Sequence, residues 1–280
     1  MFIMNLSINP RHFINAGVWE ENRTIMEALK LVHAAGFSHF DLEANSEEEA
    51  EMLADYLKKN NLTVIQSHMP FNRYKRGDSA LFHESVMEYA KYAKIMDSKI
   101  LVVHGDEFNY KEQPYTFKAA LEYNYRFFYD LVDYAVKNNM RVAFENTFQE
   151  SHLTAKPHFG SILDDLFEIV NKYNTESVGI CWDSGHAKLQ YGDHDMAALE
   201  MCGDKVICTH IHDNYYNQDL HAFPFMGNIH WKNLMATLEK INYKGDFSFE
   251  LGYNCLPRAF ALDYLKLLYR SGEYLINGLK

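Results

Sequence analysis

The chain has 280 residues, of which 48% are hydrophobic and 23% charged, enough to bury the core of one large α/β domain or of two small ones. Its 27 Lys and Arg against 38 Asp and Glu give a formal net charge of −11, which argues against tight binding to a polyanion such as nucleic acid. No stretch approaches the ~20 apolar residues of a membrane span, and the four cysteines form no CxxC pair, so we expect a cytoplasmic protein with reduced thiols and no membrane partner.

Short apolar runs bounded by turn residues recur along the chain and predict buried parallel strands. The predicted strands are Phe2–Ile8, Phe37–Glu43, Leu62–His68, Lys99–His104, Met140–Glu145, Ser177–Trp182, Lys205–Ile211 and Asp246–Leu251. Amphipathic patterns between them predict helices at Thr24–Ala35, Ser46–Asn60, Leu81–Met96, Tyr123–Asn138, Asp195–Met201 and Arg258–Tyr269. Strands that alternate with helices indicate an α/β protein.

Eight such strand-and-helix units follow one another, and no Pro/Gly/Ser-rich linker interrupts them. An open doubly wound sheet gathers its functional residues at one switch point, from two or three strands only. Here an acidic residue or a histidine closes almost every apolar run. We therefore predict a single (β/α)₈ TIM barrel that spans residues 1–280 as one domain.

Four strand ends carry the strongest candidates for metal ligands. Glu145 closes "VAFENT", Asp183 closes "ICWDSGHA", His210 closes "VICTHIHDN" and Glu250 closes "FSFELG". A lone His or carboxylate at a strand end is more often structural, but an unpaired charge after such an apolar run is costly. Because the carboxyl ends of parallel strands meet at one mouth, we expect the four side chains to converge. Two Glu, one Asp and one His suit Mn²⁺, Mg²⁺, Co²⁺ or Zn²⁺.

An ordered series of motifs resembles the xylose isomerase-like TIM-barrel superfamily. The series is "GFSHFDLEA", "SHMP", "VVHGD", "FENT", "CWDSGHA", "THIHDN", "DLHAFPFMGNIHW" and "FSFEL". That superfamily joins sugar and sugar phosphate isomerases and epimerases and inosose dehydratases with endonuclease IV. The resemblance covers nearly the whole chain, and it is more specific for the superfamily than for the reaction.

The resemblance implies that Glu145, Asp183, His210 and Glu250 hold one divalent ion. Endonuclease IV completes a three-zinc cluster with further positions, which correspond here to His68, His104, His186, Asp219 and His221. Their presence permits additional ions without requiring them, because many isomerase-like relatives also have them. His212 lies on the same side of its strand as His210, one step further out, and we interpret it as a residue behind the ligands or in the loop.

The first functional hypothesis is the isomerisation or epimerisation of a small ketose, polyol-derived ketone or sugar phosphate. The ion would stabilise an enediolate as a Lewis acid, while Glu145 and Glu250 remove and return the proton alpha to the carbonyl. His186 would hold a substrate hydroxyl, and Glu43 either reaches a distal hydroxyl or forms a structural salt bridge. Aromatic side chains in the predicted mouth loops either line the sugar-binding site or pack against neighbouring residues. They are Trp19, Phe71, Tyr215, Phe223 and Phe225. An inosose dehydratase-like lyase is an alternative for the same site.

The second hypothesis is metal-dependent phosphodiester cleavage at abasic DNA sites, as in endonuclease IV. It requires basic loops that grip the DNA, and near the predicted mouth the sequence offers Arg73, Lys75 and Arg76. The formal net charge of −11 argues against this nuclease hypothesis. A barrel that binds metal without catalysis is a third interpretation. The choice of sugar, the metal, the number of ions and the oligomeric state, monomer or homo-oligomer, stay open.

Overall fold

Eight parallel strands form one sheet in the computed structural model of the chain. The strands are β1 (Leu6–Ile8), β2 (His39–Asp41), β3 (Thr63–His68), β4 (Ile100–Val103), β5 (Arg141–Glu145), β6 (Val178–Asp183), β7 (Val206–His210) and β8 (Phe247–Phe249). The structure describes residues 4–16, 20–71, 79–105, 116–149, 158–215, 217–252 and 256–278.

The strand order is β7-β6-β5-β4-β3-β2-β1-β8, so β1 pairs with both β2 and β8. A parallel bridge between Ile211 and Phe249 joins the two outer strands. There the Ile211 amide donates to the Ser248 carbonyl at 2.8 Å, and the Glu250 amide donates to the Ile211 carbonyl at 3.1 Å. These bonds bring the ends of the sheet together into a barrel, which confirms the predicted α/β TIM-barrel fold.

Helices surround the sheet and follow the strands in the expected alternation. Within the described ranges they are α1 (Ile25–Ala34), α2 (Glu47–Lys59), α3 (Ser79–Ile95), α4 (Phe117–Phe127), α5 (Tyr129–Lys137), α6 (Leu163–Tyr173), α7 (Ser184–Tyr191), α8 (Asp195–Cys202), α9 (Trp231–Lys240) and α10 (Arg258–Gly278). None of them combines the length and apolarity that crossing a bilayer requires.

Local sequence signals account for where several helices begin. Thr24 and Glu27 form a full capping box at the start of α1, and the Ser46 hydroxyl accepts the Glu49 amide at the start of α2. The predicted helix over 123–138 is instead divided between α4 and α5 at Phe128. The sequence analysis also did not separate α7, which begins directly after β6 with Asp183 as its N-cap.

The barrel interior is apolar in its middle and polar at the carboxyl-terminal ends of the strands. A compact cluster fills it from the strands: Ile100, Val102, Ala143, Cys181, Ile207 and Cys208. Side chains alternate between the two faces of a strand, so Glu145 points inward two residues after Ala143, and Asp183 two residues after Cys181. This alternation places the two carboxylates at the carboxyl-terminal mouth of the barrel, next to the apolar cluster.

Candidate metal centre

The four strand-end candidates converge in space. One ligand atom from each of Glu145, Asp183, His210 and Glu250 lies within 4.8 Å of the corresponding atoms of the other three. The His210 Nδ1 lies 3.1 Å from the Glu145 Oε2 and 3.3 Å from the Glu250 Oε2. Glu145, Asp183 and His210 are buried, whereas Glu250 is half-buried. Residues far apart in sequence therefore face one point at the barrel mouth.

Two buried side chains behind His210 set its orientation. The His210 Nε2 lies 3.1 Å from the Asp41 Oδ2, and the Gln66 amide donates to that same oxygen at 3.3 Å. A carboxylate on one imidazole nitrogen leaves the other nitrogen free to bind a metal ion and increases its basicity. The sequence analysis missed both residues, because Asp41 and Gln66 lie inside the predicted strands Phe37–Glu43 and Leu62–His68 rather than at their ends.

We expect Asp41→Asn to lower divalent-metal affinity by roughly 10- to 100-fold, the usual cost of losing such a partner. The neutral amide no longer fixes the His210 tautomer. Competition with a chromogenic chelator measures the affinity, and Asp133→Asn on the outer surface of α5 is the matched control. Equal affinity in wild type and Asp41→Asn would refute this role.

A second group of ligand atoms is formed by His68, His104 and Glu145. The His68 Nδ1 donates to the Met69 carbonyl at 2.7 Å, so its Nε2 faces the Glu145 Oε2 at 3.4 Å. The His104 Nε2 lies 3.1 Å from the same oxygen. Burial lowers the pKa of His68, but the hydrogen bond and charge of Glu145 outweigh burial and raise it to about 9. Burial lowers the pKa of His104.

A third group joins His186, His212, Asp219 and His221. The Asp219 Oδ2 lies 3.4 Å from the His186 Nε2 and 3.3 Å from the His221 Nε2. His212 is fully buried, with its Nε2 3.1 Å from the Asp183 Oδ2. Sequence reasoning placed His212 behind the ligands or in the loop; its contact with Asp183 fits the first position, and it also lies within 4.8 Å of candidate ligand atoms of the third group.

Donor chemistry and unsatisfied atoms both fit a divalent cation in this mouth. The Glu145 Oε1, His210 Nδ1, Glu250 Oε2 and Asp219 Oδ1 are buried without a hydrogen-bond partner among the described residues. Burial alone would raise the pKa of Glu145, but the charges of His210 and His104 hold it well below its usual range. Carboxylates as buried as these require a positive charge nearby. Protonated histidines or a metal ion can provide that charge.

A cavity of about 560 Å³ opens beside the ligands at the barrel mouth. Glu250, His68, His12, Glu43 and Phe71 are among the residues that line it. The Phe71 ring stacks on His104 with ring centroids 4.5 Å apart, so it covers the candidate ligands on one side. His12 also lies along this wall, where burial lowers its pKa to about 4.

The candidate substrate-binding residues have different surroundings. The Glu43 Oε1 forms a salt bridge with Arg11 at 3.1 Å, and its Oε2 accepts a hydrogen bond from Asn9 at 2.9 Å. The structural salt bridge considered for Glu43 is therefore present, and Glu43 also lines the cavity. His186 lies inside the third ligand group. Trp19 and the basic cluster Arg73, Lys75 and Arg76 lie outside the described residues.

Two of the predicted mouth rings pack against neighbouring side chains. Phe223 packs on Tyr264, with ring centroids 5.3 Å apart, and Phe225 on Trp231 at 5.6 Å. Phe148, which the sequence analysis did not select, lies against His186 with centroids 5.3 Å apart. The aromatic wall next to the ligands is thus formed by Phe71 and Phe148 within the described part of the mouth.

Residues 29–268 match the family described as "Xylose isomerase-like TIM barrel". Two curated proteins are similar over part of their length, and both carry the description uncharacterized. One, from Sinorhizobium fredii (y4fM), is 30% identical over 45% of this chain and 38% of its own length. The other, from Methanocaldococcus jannaschii (MJ1311), is 26% identical over 60% of this chain and 55% of its own. The chain therefore spans about two fifths to just over half of these relatives.

Solved structures share the fold over the whole chain at low sequence identity. A D-tagatose 3-epimerase-like protein has a TM-score of 0.77 and 18% identity, with 98% of each chain covered. An L-ribulose 3-epimerase has a TM-score of 0.76 and 12% identity, covering 99% of this chain and 96% of its own. The IOLI protein with a binding zinc atom has a TM-score of 0.69 and 17% identity, with 99% of each chain covered.

Proposed function

Because the chain belongs to the xylose isomerase-like TIM-barrel family, we propose that it is a divalent-metal-dependent isomerase or epimerase of a small sugar or ketose. One observation carries the proposal: Glu145 and Glu250 approach the same His210 nitrogen, at 3.1 and 3.3 Å, and Glu250 faces a cavity. Epimerase folds among the structural neighbours support the same reaction class. Small-molecule sites commonly have volumes of about 300–1,000 Å³, and this cavity of about 560 Å³ lies within that range.

Glu145, Asp183, His210 and Glu250 would hold the catalytic ion, which when bound supplies Lewis-acid polarisation of the substrate carbonyl. Zn²⁺, Mn²⁺, Co²⁺ and Mg²⁺ all accept this donor set. The two glutamates then act on the carbon next to that carbonyl. One carboxylate accepts the alpha proton to give an enediolate, and the other holds a proton on the opposite face for its return. The lowered pKa of Glu145 keeps it in the carboxylate form that accepts a proton.

The cavity favours an uncharged sugar. Among its described lining residues Arg11 is the sole Lys or Arg, and its guanidinium is already paired with Glu43 and Glu49. A phosphate group requires free positive charge or converging amide donors. Asn9, Asn15 and His12 line the same wall with polar side chains that carry no positive charge, and this lining suits hydroxyls better than a phosphate. We therefore propose an unphosphorylated ketose or keto-polyol as the substrate.

Incubation of the metal-loaded protein with a panel of ketoses in deuterated water tests the proposal. We expect deuterium at the carbon next to the carbonyl and a new epimer or aldose, both detectable by NMR. A product that lacks one molecule of water relative to the substrate would instead indicate the dehydratase-like lyase reaction. Absence of exchange with every ketose and keto-polyol, at saturating metal, would reject the isomerase proposal.

Cleavage of abasic DNA is the second candidate, and the three neighbouring groups of candidate metal ligands at the mouth favour it. Metal-assisted phosphodiester cleavage uses several ions to activate water and stabilise the leaving oxygen. The reaction predicts incision of an abasic duplex that weakens steeply as salt increases. No incision at low salt with zinc supplied would dismiss it. The net charge of −11 leads us to rank this reaction second.

A cytoplasmic location completes the proposal. The described cysteines Cys181, Cys202 and Cys208 are free and buried, which suits a reducing compartment. The proposed partner is a small sugar.

A further inference from the structure

The last helix, α10, presents two faces with apolar side chains instead of one. The first face packs on the barrel and consists of buried residues: Ala261, Leu265, Leu268, Gly272, Leu275 and Ile276. The second is a row at seven-residue intervals, in which Phe260 is 64% exposed, Leu267 53% and Tyr274 54%. A surface helix normally has one apolar face, toward the core. The second face therefore indicates a contact that the described part of the chain does not make within itself.

Phe225 and Met226 extend this row at the Tyr274 end. The Phe225 ring lies 6.2 Å from the Tyr274 ring between centroids, yet Phe225 is 47% exposed and Met226 68%. We call these five residues the α10 stripe. Large side chains of this kind bury about 150–250 Å² each, so the exposed parts of the five together offer roughly 400–700 Å² per chain. An interface of standard size buries about 800 Å² on each partner, and the stripe supplies about half of that or more.

The spacing of residues on this side of α10 is that of a helix that packs against another helix. Residues follow one another at intervals of four and three: Phe260, Tyr264, Leu267, Ser271, Tyr274 and Gly278. This alternation is the repeat with which two helices pack side by side. The helix has 21 residues, a length of about 31 Å at 1.5 Å per residue. The exposed face therefore fits a second helix along its whole length.

The same face is complementary to itself when two copies of α10 run antiparallel. A two-fold axis at Leu267 places Phe260 opposite the partner's Tyr274, because each lies seven residues from Leu267. It also places Asp263, four residues before Leu267, near the partner's Arg270, three residues after it. Asp263 and Arg270 are exposed, and neither forms an ion pair with another described residue. Opposite charges would thus meet twice beside an apolar centre, as they do at the rims of protein interfaces.

We propose that the α10 stripe is a homodimer interface, in which two copies of this chain pack α10 against α10 antiparallel about a two-fold axis at Leu267. Burial of the five side chains supplies the affinity, and the two Asp263–Arg270 pairs set the direction and register. A parallel pair in the same register would place each of these charges beside its own copy, which is unfavourable. The partner would also cover Phe225 and Met226, in the loop that follows Asp219 and His221.

Sedimentation velocity of the full-length protein at micromolar concentrations tests the interface. We expect a particle of about twice the 32.7 kDa of one chain. Leu267→Glu should sediment as a monomer, because it brings two like charges together at the axis. The same change at Leu81, which is 65% exposed on α3 outside the stripe, is the matched control and should leave the dimer intact. Both positions are exposed, and thermal melts establish that each variant folds.

Reversal of the flanking charges tests the antiparallel register and distinguishes a second copy from another partner. We expect Asp263→Arg and Arg270→Asp each to raise the dimer Kd about 10-fold, because each change brings like charges together twice. The double variant should return to within about threefold of wild type. A wild-type chain that stays monomeric would overturn the proposal and leave the stripe to a different protein. Dimerisation of folded Leu267→Glu at the wild-type Kd would overturn it too, as would a folded double variant no tighter than the single ones.

Discussion

We expect Glu145→Gln to abolish proton exchange with the sugar while the ions stay bound more weakly. The glutamine amide still offers an oxygen ligand, but it cannot accept the proton alpha to the carbonyl. Loss of a positioned general base costs typically 10²- to 10⁴-fold in rate. Deuterium incorporation into the sugar, with metal content determined on the same samples, measures both effects.

The position of Glu145 explains why this effect should be large. Its Oε2 lies 3.4, 3.1 and 3.1 Å from nitrogens of His68, His104 and His210, so the carboxylate belongs to more than one ligand group. Glu239→Gln, exposed on α9, is the matched control and should exchange at the wild-type rate. If Glu145→Gln exchanges deuterium as fast as wild type when fully loaded with metal, the two-glutamate proposal is wrong.

The fold was predictable because its signals are local. Each buried strand appears as a short apolar run, and the spacing between runs leaves room for one helix. Glu145, Asp183 and His210 could be selected because each closes such a run, and parallel strands bring their carboxyl ends together. Their convergence in space is therefore a consequence of strand direction, which sequence periodicity already indicates.

The residues that the sequence analysis missed depend on distant parts of the chain. Asp41 lies 3.1 Å from His210, although the two are 169 residues apart. Nothing near Asp41 in sequence distinguishes it from a polar residue at a strand edge. His212 could be placed on the correct side of its strand, but its burial against the start of α7 depends on the absence of a side chain at Gly185. Close packing between separate elements sets such details, and periodicity does not report it.

Removing the ions should reverse the sign of the pH dependence of stability. In the metal-free chain, burial lowers the pKa of His221, but Glu250 and Asp219 outweigh burial and raise it to about 9 from 6.5. Glu145 raises the pKa of His68 to about 9 in the same way, against the effect of burial. A raised folded pKa stabilises the protein fully below the unfolded value and progressively less as the pH rises toward 9. Each shift corresponds to at most about 3.5 kcal/mol.

The metal-loaded chain should behave in the opposite way, because a metal ion binds only the deprotonated imidazoles and its affinity increases with pH. Urea unfolding midpoints between pH 6 and pH 8.5 should therefore fall with rising pH in the presence of chelator and rise with zinc or manganese. The difference between the two curves removes contributions from groups outside the mouth. Parallel curves would mean that no metal ion displaces protons from the histidines of the mouth, and the proposed metal centre would then be wrong.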